Sequence, residues 1–586
     1  RNHRTGENRN VTVWPDNPLG WGGEMLKHRF QWNFPIFFSP HDPKTLYCAS
    51  QFLCRSTNEG QSWTVVSPDL STNDKSKQAP SGGPITKDNT SVEYYCTIFS
   101  AVESPHEQGV IWCGTDDGLV HITRNGGDSW TNITPPDMPE WGTVSQIDLS
   151  AHAKGTAYLA VQRYRLDDHT PYVFKTSDFG RSWKQIGRGI ADGSFVRAVR
   201  EDPVRAGLLY AGTETGMWVS FDDGDAWQPL QMNLPVVPIT DLVVKDDDLV
   251  VATQGRSFWI LRDLSPLRQM TSSVLSASAH LFAPGITFKG IGDTVDVYYA
   301  LADDLEADIT LEILEADGDV IKTYTGKKTA KKEESEGEAT EDEDDSEEDD
   351  DDDEESESDG EAPAESGLNV FSWNTRYPDA TETPGAVMWG GSVRGPQASP
   401  GAYLVRLTVG ERELTQPFDI LGDPRLDASQ ADYEEQFSLL IEIRDKVNET
   451  HTAINQLRAV REQIGAVSSR AKEIGGMQSV IDAGDEIKTK LKAIEDELIQ
   501  SKSKSSQDPL NFPIMLNNKI AALAGVVSRS SGRPTAASYV VFEQLVAELK
   551  PQLEKLGVVM DVDVPAFNKL VREYDMPAIW VEKNGE

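Results

Sequence analysis

The sequence predicts a mainly β protein: a partial β-propeller, then a β-sandwich, then an α-helical C-terminal domain. Three observations predict it. One turn element recurs four times between Ser56 and Trp227. Segments after about residue 272 alternate apolar and polar residues, as half-buried strands do. From about residue 423 the apolar residues switch to helical spacing.

The recurring element reads STNEGQSW (Ser56–Trp63), TRNGGDSW (Thr123–Trp130), TSDFGRSW (Thr176–Trp183) and SFDDGDAW (Ser220–Trp227). Its pattern is Ser/Thr-x-Asp/Asn-x-Gly-x-x-Trp, with Trp-to-Trp spacings of 67, 53 and 44 residues. Each copy follows a strand-like stretch with a small-residue step, LYCAS, IWCGT, YLAVQ or LYAGT. Strand-only repeats near this length indicate propeller blades. The chemistry of the element is local. Asn58, Asn125, Asp178 and Asp222 suit turns because their side chains accept backbone N–H groups. Gly60, Gly127, Gly180 and Gly224 supply a positive φ. Trp63, Trp130, Trp183 and Trp227 are expected to fill the groove beside the next strand. All twelve are therefore expected to be structural pins.

Residues 272–422 contain VDVYYAL, ADITLEILEADGDVIKTY, NVFSWNTRY and GAYLVRLTVGERELTQPFDI, each with a two-residue period. Between the second and third lies an acidic insertion at about 328–366. Its stretch Glu333–Glu361 holds 21 Asp/Glu and no Lys or Arg, about half of the formal net charge of −40. Such a run is expected to be a solvated, disordered loop. Residues 423–586 are expected to be helical. Phe437, Leu440, Val447, Ile454, Leu457 and Ile464 keep helical spacing, and Val480, Ile487, Leu491, Ile494 and Leu498 repeat it beyond Gly475-Gly476. Shorter helices are expected near 514–527, 536–556 and 565–574.

The composition narrows the partners. A chain this acidic repels phosphate backbones and anionic lipid, so nucleic acid is excluded as a partner. No run of about 18 apolar residues is present to serve as a transmembrane segment. The chain opens with RNHRTGENRN, which reads as the interior of a domain, so the numbering is expected to begin inside a longer precursor. Four cysteines lie at Cys48, Cys54, Cys96 and Cys113. Cys48 and Cys54 flank a predicted hairpin turn symmetrically, which leaves open a cross-strand disulfide or two small buried residues. No Cys/His spacing suggests zinc.

The repeated element resembles the Asp box of the BNR family, which includes sialidases, xyloglucanase-type glycosidases and the sortilin propeller. Longer strings resemble one branch, the large bacterial sortilin-like BNR-repeat proteins often named glycosyl hydrolases. They include FQWNFPIFFSPHDPKTLY, GTDDGLVHITRNGGDSW and EDPVRAGLLYAGTETGMWVSFDDGDAW. The resemblance implies a propeller at residues 1–271, with further blades upstream as its partners in the same precursor. It implies that 272–422 is the Ig-like sandwich that often follows such propellers. It also implies a secreted, periplasmic or cell-surface bacterial protein. Gln254 stands where the branch is expected to have His in its closing string, so that residue's role is not carried over.

The sequence contains no nucleophile elbow, P-loop, dinucleotide fingerprint or HExxH motif. A propeller glycosidase needs two carboxylates across a cleft. The candidates are Glu103 in AVESP, Asp116 and Asp117 in GTDDG, Asp167 and Asp168 in RLDDH, and Glu214 in GTETG. Turn chemistry explains GTDDG and GTETG equally well. RLDDHTPY reads as a loop lengthening one blade, where binding residues tend to sit. Candidate binding residues are His152, Tyr164, His169 and Arg256. Trp141, Tyr164, Tyr172 and Trp259 suit stacking on sugar rings, or packing within blades. No sialidase set of three arginines with a Tyr/Glu pair is assignable. No cofactor is assigned. Ca2+ at Asp-rich loops is the metal left open, although no loop has EF-hand spacing. Three readings follow. One is a recognition or scaffold protein binding a peptide, protein or glycan on a propeller face. Another is an extracellular glycoside hydrolase. The third is a structural or surface-layer component.

Overall fold

The computed structural model describes residues 2–292, 294–302, 307–327 and 360–577. Most of the acidic insertion, residues 328–359, lies outside them. The chain divides into two compact units, Arg1–Leu275 and Ser276–Glu586.

In the first unit, β-branched and aromatic runs between Gly- and Asp-rich turns form five antiparallel meanders. The first sheet uses Ile36–Phe38, Leu46–Ala49, Leu53–Ser56 and Thr64–Val65. The second uses Ile98–Glu103, Ile111–Thr115, Val120–Thr123 and Thr131–Asn132. The third uses Thr143–Leu149, Ala157–Arg163, Asp168–Thr176 and Lys184–Gln185. The fourth uses Val196–Glu201, Leu209–Thr213, Met217–Ser220 and Gln228–Pro229. The fifth has three strands, Ile239–Lys245, Asp248–Thr253 and Phe258–Leu261.

Successive sheets pack face to face, and the second strands of sheets two to four are buried on both faces. Ile111 and Cys113 join a core with Tyr47 and Leu53 of the first sheet, whereas Trp112 between them joins Val144 and Leu159 of the third. Tyr158 and Ala160 point the other way, to Val196 and Leu209 of the fourth sheet. Two-sided burial explains why IWCGT and LYAGT read as continuous apolar runs rather than alternating ones.

The four repeated turns share one hydrogen-bond set. In the first, Gly60 N donates to Ser56 Oγ (3.0 Å) and Ser62 N to Asn58 Oδ1 (3.0 Å). The tryptophans correct the sequence expectation. Those of the second, third and fourth turns reach back to the end of the preceding sheet rather than to the next strand, and Trp63 reaches the N-terminal segment. Trp130, Trp183 and Trp227 donate Nε1–H to the carbonyls of Val66, Ile133 and Ile186, at 2.9, 2.7 and 2.6 Å. Trp63, in the first sheet, donates to the Val11 carbonyl of the N-terminal segment (2.9 Å). The same apolar residues sit beneath the turn glycines. A Cβ on Gly127, at φ +104°, would lie 2.3 Å from the Val66 carbonyl oxygen.

The second unit begins with two sheets around one core. Ala279–Leu281, Val295–Leu301 and Gly367–Trp373 form a three-stranded sheet. Thr287–Phe288, Arg412–Leu421, Gly401–Val409, Ile309–Glu315 and Val320–Gly326 form a five-stranded one. Val297, Tyr299, Leu311, Trp373 and Leu407 fill the space between them. The helices follow. Ser429 caps the 45-residue helix Gln430–Ile474 in a capping box with Asp432. Gly475 and Gly476, both at positive φ, turn the chain into Gln478–Leu498. Leu516–Val527, Ala536–Val558 and Val564–Glu573 complete a second core with them.

Candidate functional site

The first strands of sheets two to five share an irregularity. Ile98 pairs with Thr115 and Ser100 with Gly114, so Phe99 is an extra residue. The same register shift leaves Ser145, Arg197 and Thr240 unpaired in the following sheets. A bulge repeated at one level re-aims side chains at one end of these four sheets. Asp116, Gln162, Glu214 and Gln254 follow the second-strand partners of Ile98, Val144, Val196 and Ile239, and so lie at that same level.

A cleft of about 580 Å³ opens there. Its aromatic lining is Trp32, Tyr95, Phe99, Trp141 and Tyr164. Its polar lining includes Lys77, Asp116, Gln162, Arg163 and Arg165. Trp141 is held at φ +65°, with Lys77 Nζ 4.4 Å from its ring centroid and Tyr95 at 6.4 Å. Tyr164 begins a short 3-10 turn that ends at Asp167 in the left-handed region. Its ring stacks on Phe195 at 4.7 Å and 11°. Such flat, half-exposed rings beside cations offer stacking and cation–π surfaces together.

Asp116 is the single carboxyl among the described lining residues. It accepts Thr97 N at Oδ1 and Thr97 Oγ1 at Oδ2, both at 2.8 Å. Burial, reinforced by the neighbouring Asp117 charge, pushes it up to about 8. Burial thus favours its neutral form, and Lys77, Arg163 and Arg165 stand beside it in the lining. Asp117 faces the other way, where its Oδ2 accepts Thr72 N (2.8 Å) and Thr72 Oγ1 (2.7 Å). Beneath them, buried Arg29 ties Asp69 (2.8 Å) to the Cys96 carbonyl.

Three other candidates adjoin the cleft through intermediaries. Asp168 pairs with Arg163 (3.4 Å) and accepts the Tyr172 hydroxyl (2.9 Å). Glu214 receives Arg197 Nε and Nη2 at 2.8 and 2.6 Å, and that guanidinium lies 5.5 Å from the Tyr164 ring. His169 lies 5.8 Å from Phe195. RLDDHTPY is less of a loop than expected, since Asp168–Thr176 is a nine-residue strand.

The rest are placed elsewhere. Glu103 is at the opposite end of its strand, buried, and accepts Gly109 N (2.7 Å), as Glu201 accepts Gly207 N (3.0 Å). His152 donates Nε2–H to the Asp202 carbonyl (2.8 Å). It belongs to a series, because His41 reaches Ser104 O (2.8 Å) and His106 reaches Ser150 O (3.0 Å). Each histidine thus straps its sheet's hairpin to the next. Arg256 lies exposed in the turn before Phe258–Leu261, where its carbonyl accepts Trp259 Nε1 (2.9 Å). Cys48 and Cys54 do stand opposite each other, and both are buried free thiols raised by burial, to about 12 and about 11. Among the described residues no group of three or more His, Cys, Asp or Glu is set to hold a metal.

Sequence reasoning missed Tyr95, Lys77 and Phe99 as part of this cleft. Phe99 enters through a bulge, which leaves no local sequence signature. The histidine straps did leave one: Ser-Pro-His at 39–41 and 104–106 and Ser-Ala-His at 150–152.

No family model and no curated protein matches the chain. Among solved structures it is similar to an ancestral GH74 enzyme, at 17% identity over 54% of this chain and 40% of that one, TM-score 0.28. It is similar to the GH74 enzyme of Niastella koreensis, at 11% identity over 68% of this chain and 55% of that one, TM-score 0.32. It is also similar to YCF48 bound to D1 peptide, at 14% identity over 48% of this chain and 84% of that one, TM-score 0.25. The chain spans less than two thirds of the length of either GH74 enzyme. The fold and the site define a mostly β protein of repeated antiparallel sheets with a C-terminal helical region.

Proposed function

We propose that the five sheets are blades of an Asp-box propeller and that the protein is a recognition or scaffold module. It binds a peptide, protein or glycan in the cleft lined by Trp141 and Tyr164. One observation carries this reading: the cleft is aromatic and cationic, yet holds one carboxyl, and both oxygens of that carboxyl are engaged by Thr97. A binding site needs stacking surface and a few oriented polar groups, and these are present. The β-sandwich at 272–422 is read as Ig-like, and the protein as secreted, periplasmic or cell-surface. No cofactor is assigned.

Glycoside hydrolysis is the second reading, and a specific observation favours it. A carboxyl raised to about 8 is suited to a general acid. It would still need a partner carboxylate across the cleft.

The deciding experiment is a glycan and peptide array with a parallel polysaccharide-hydrolysis screen. It uses the wild type, Trp141→Ala, Tyr164→Ala and Asp116→Asn. Binding that both aromatic variants weaken by about tenfold or more, without turnover, supports recognition. Sugar release abolished by Asp116→Asn in a folded protein sinks it in favour of the hydrolase. Binding that neither aromatic substitution changes removes the cleft from the account.

A further inference from the structure

Arg444, Asn448, His451, Asn455 and Arg458 of the helix Gln430–Ile474 are spaced alternately four and three residues apart, so they share one face. Each engages the backbone of one neighbouring segment. Arg444 Nη1 donates to Pro378 O (2.6 Å), Asn455 Nδ2 to Glu382 O (2.8 Å) and Arg458 Nη1 to Pro384 O (2.8 Å). Asn448 Oδ1 accepts Thr381 N (2.9 Å), and His451 Nδ1 meets Thr381 O at 2.7 Å.

The bound segment, residues 376–397, is a strap. A bridge between Arg376 and Gln397 closes its ends, and no helix or strand lies within it. Asn518 of the helix Leu516–Val527 holds it further along, by accepting Trp389 N (2.8 Å) and donating to Trp389 O (2.9 Å). Ala380, Ala386, Met388 and Val393 of the strap pack on the helical core. A cavity of about 560 Å³ lies between part of the strap and the helices, with Leu440, Ile443 and Val447 in its lining. Side chains rather than a sheet ladder fasten this strap to the helices, so lifting it breaks no secondary structure.

His451 is the member of the stripe that titrates near neutral pH, and it is buried. A carbonyl only accepts, so Nδ1 carries the ring proton and Nε2 is left as an acceptor. Nε2 faces Asn517 Nδ2 (3.3 Å), and the same amide nitrogen reaches Met388 Sδ (3.7 Å), which fixes its orientation. A second ring proton would therefore set N–H against N–H. Burial holds the ring below the usual histidine range; the Thr381 bond opposes this and the Arg458 charge reinforces it. The charged groups of the surrounding elements are engaged or exposed. Arg444 pairs with Asp445 and Arg458 with Glu495, Asp379 Oδ1 accepts Gly395 N (2.6 Å), and Glu382 and Lys519 are exposed.

We propose that His451 is an acid-sensitive latch: neutral, it holds the strap on the helices, and once protonated it lets residues 376–397 lift and bare the apolar face beneath. Linkage sets the direction. The latched ring resists a proton that the released ring accepts, so latching is intact above about pH 6.5 and weakens as pH falls below it. The other clamps, Asn448, Asn455 and Asn518, are neutral amides and keep the same strength at every pH. Acid thus acts on one bond of the stripe, and the strap's remaining bonds set how far it opens.

The test is amide hydrogen exchange of the full chain at about pH 7.5 and about pH 5.5, read by mass spectrometry on peptides covering residues 377–389 and corrected for the intrinsic effect of pH on exchange. On acidification, opening of the strap should rise by between about threefold and about tenfold. The upper figure is the limit for a ring that titrates at about 6.5 when free and not at all when latched. His451→Asn keeps a donor for Thr381 O and removes the titration, so its opening should change less than about twofold. Asn517→Asp sets a carboxylate against Nε2 and favours the latched imidazolium, so its response should shrink as well. His280→Asn, in the sheets of the same unit, should respond as the wild type does. No acid response in the wild type overturns the proposal, with no variant needed. So does a full response in His451→Asn or Asn517→Asp, or one that His280→Asn abolishes. Far-UV circular dichroism at both pH values checks that each variant is folded.

Discussion

Asp116 shows how neighbouring residues of one type are given different tasks by where the chain puts them. The Asp116–Asp117 pair reads as turn chemistry in GTDDG. In the fold, Asp116 lines the aromatic cleft while Asp117 holds the Thr72 turn from within. Burial raises Asp116 to about 8, far above its unfolded value, so the native state keeps a proton that the unfolded chain loses. Stability is therefore expected to fall as pH rises from about 4 to about 8 through this group. Asp116→Asn keeps a neutral acceptor for Thr97 and has no proton to lose. Its stability relative to wild type should rise across that window, which urea denaturation at stepped pH measures. A constant difference across the window would mean that Asp116 is ionised in the fold.

At the scale of elements, two devices join sheet to sheet. The repeated turn sends its Trp to the preceding sheet, and the Ser-x-His strap sends its histidine to the following one. Gly127 is where the first device tolerates least change, because it combines φ +104° with a backbone oxygen 2.3 Å from any Cβ. Gly127→Ala should destabilise the first unit by at least about 2 kcal/mol, read as a drop in denaturation midpoint. His106→Ala removes one hydrogen bond to the Ser150 carbonyl and should cost about 1 kcal/mol. His152→Ala should match it, since the two contacts are equivalent; a specific loss of ligand binding in His152→Ala alone would restore its reading as a binding residue. The turn element was legible because its function is local. The straps were harder to read, because a histidine's partner 44 to 63 residues away is set by how sheets stack.

At the scale of the whole molecule, charge dominates. The net charge of −40, about half of it in one run, stores self-repulsion that salt screens. Raising NaCl from about 0.02 M to about 0.5 M should raise the thermal midpoint, most visibly at neutral pH where the carboxylates are ionised. An unchanged midpoint in differential scanning calorimetry would mean that the charges are too far apart to strain the fold. Against that acidity the cleft's cations stand out. Lys77, Arg163 and Arg165 gather there from separate parts of the chain.

The sequence by itself determined the order of architectures: repeated strand units with turn pins, then alternating strands, then amphipathic helices. Turn residues, two-residue alternation and helical spacing are all read within a few residues, so local chemistry suffices. It also marked Trp141, Tyr164 and the Asp116–Asp117 pair as worth weighing. Only the tertiary structure decided which of them meet. It separated Glu103 from Asp116 by the length of a strand, tied Glu214 to Arg197, and brought Tyr95 and Phe99 to the cleft. The physical reason is that the cleft forms where bulged strands of different sheets converge. The contacts between those sheets are set by packing between faces, which no single stretch of sequence encodes.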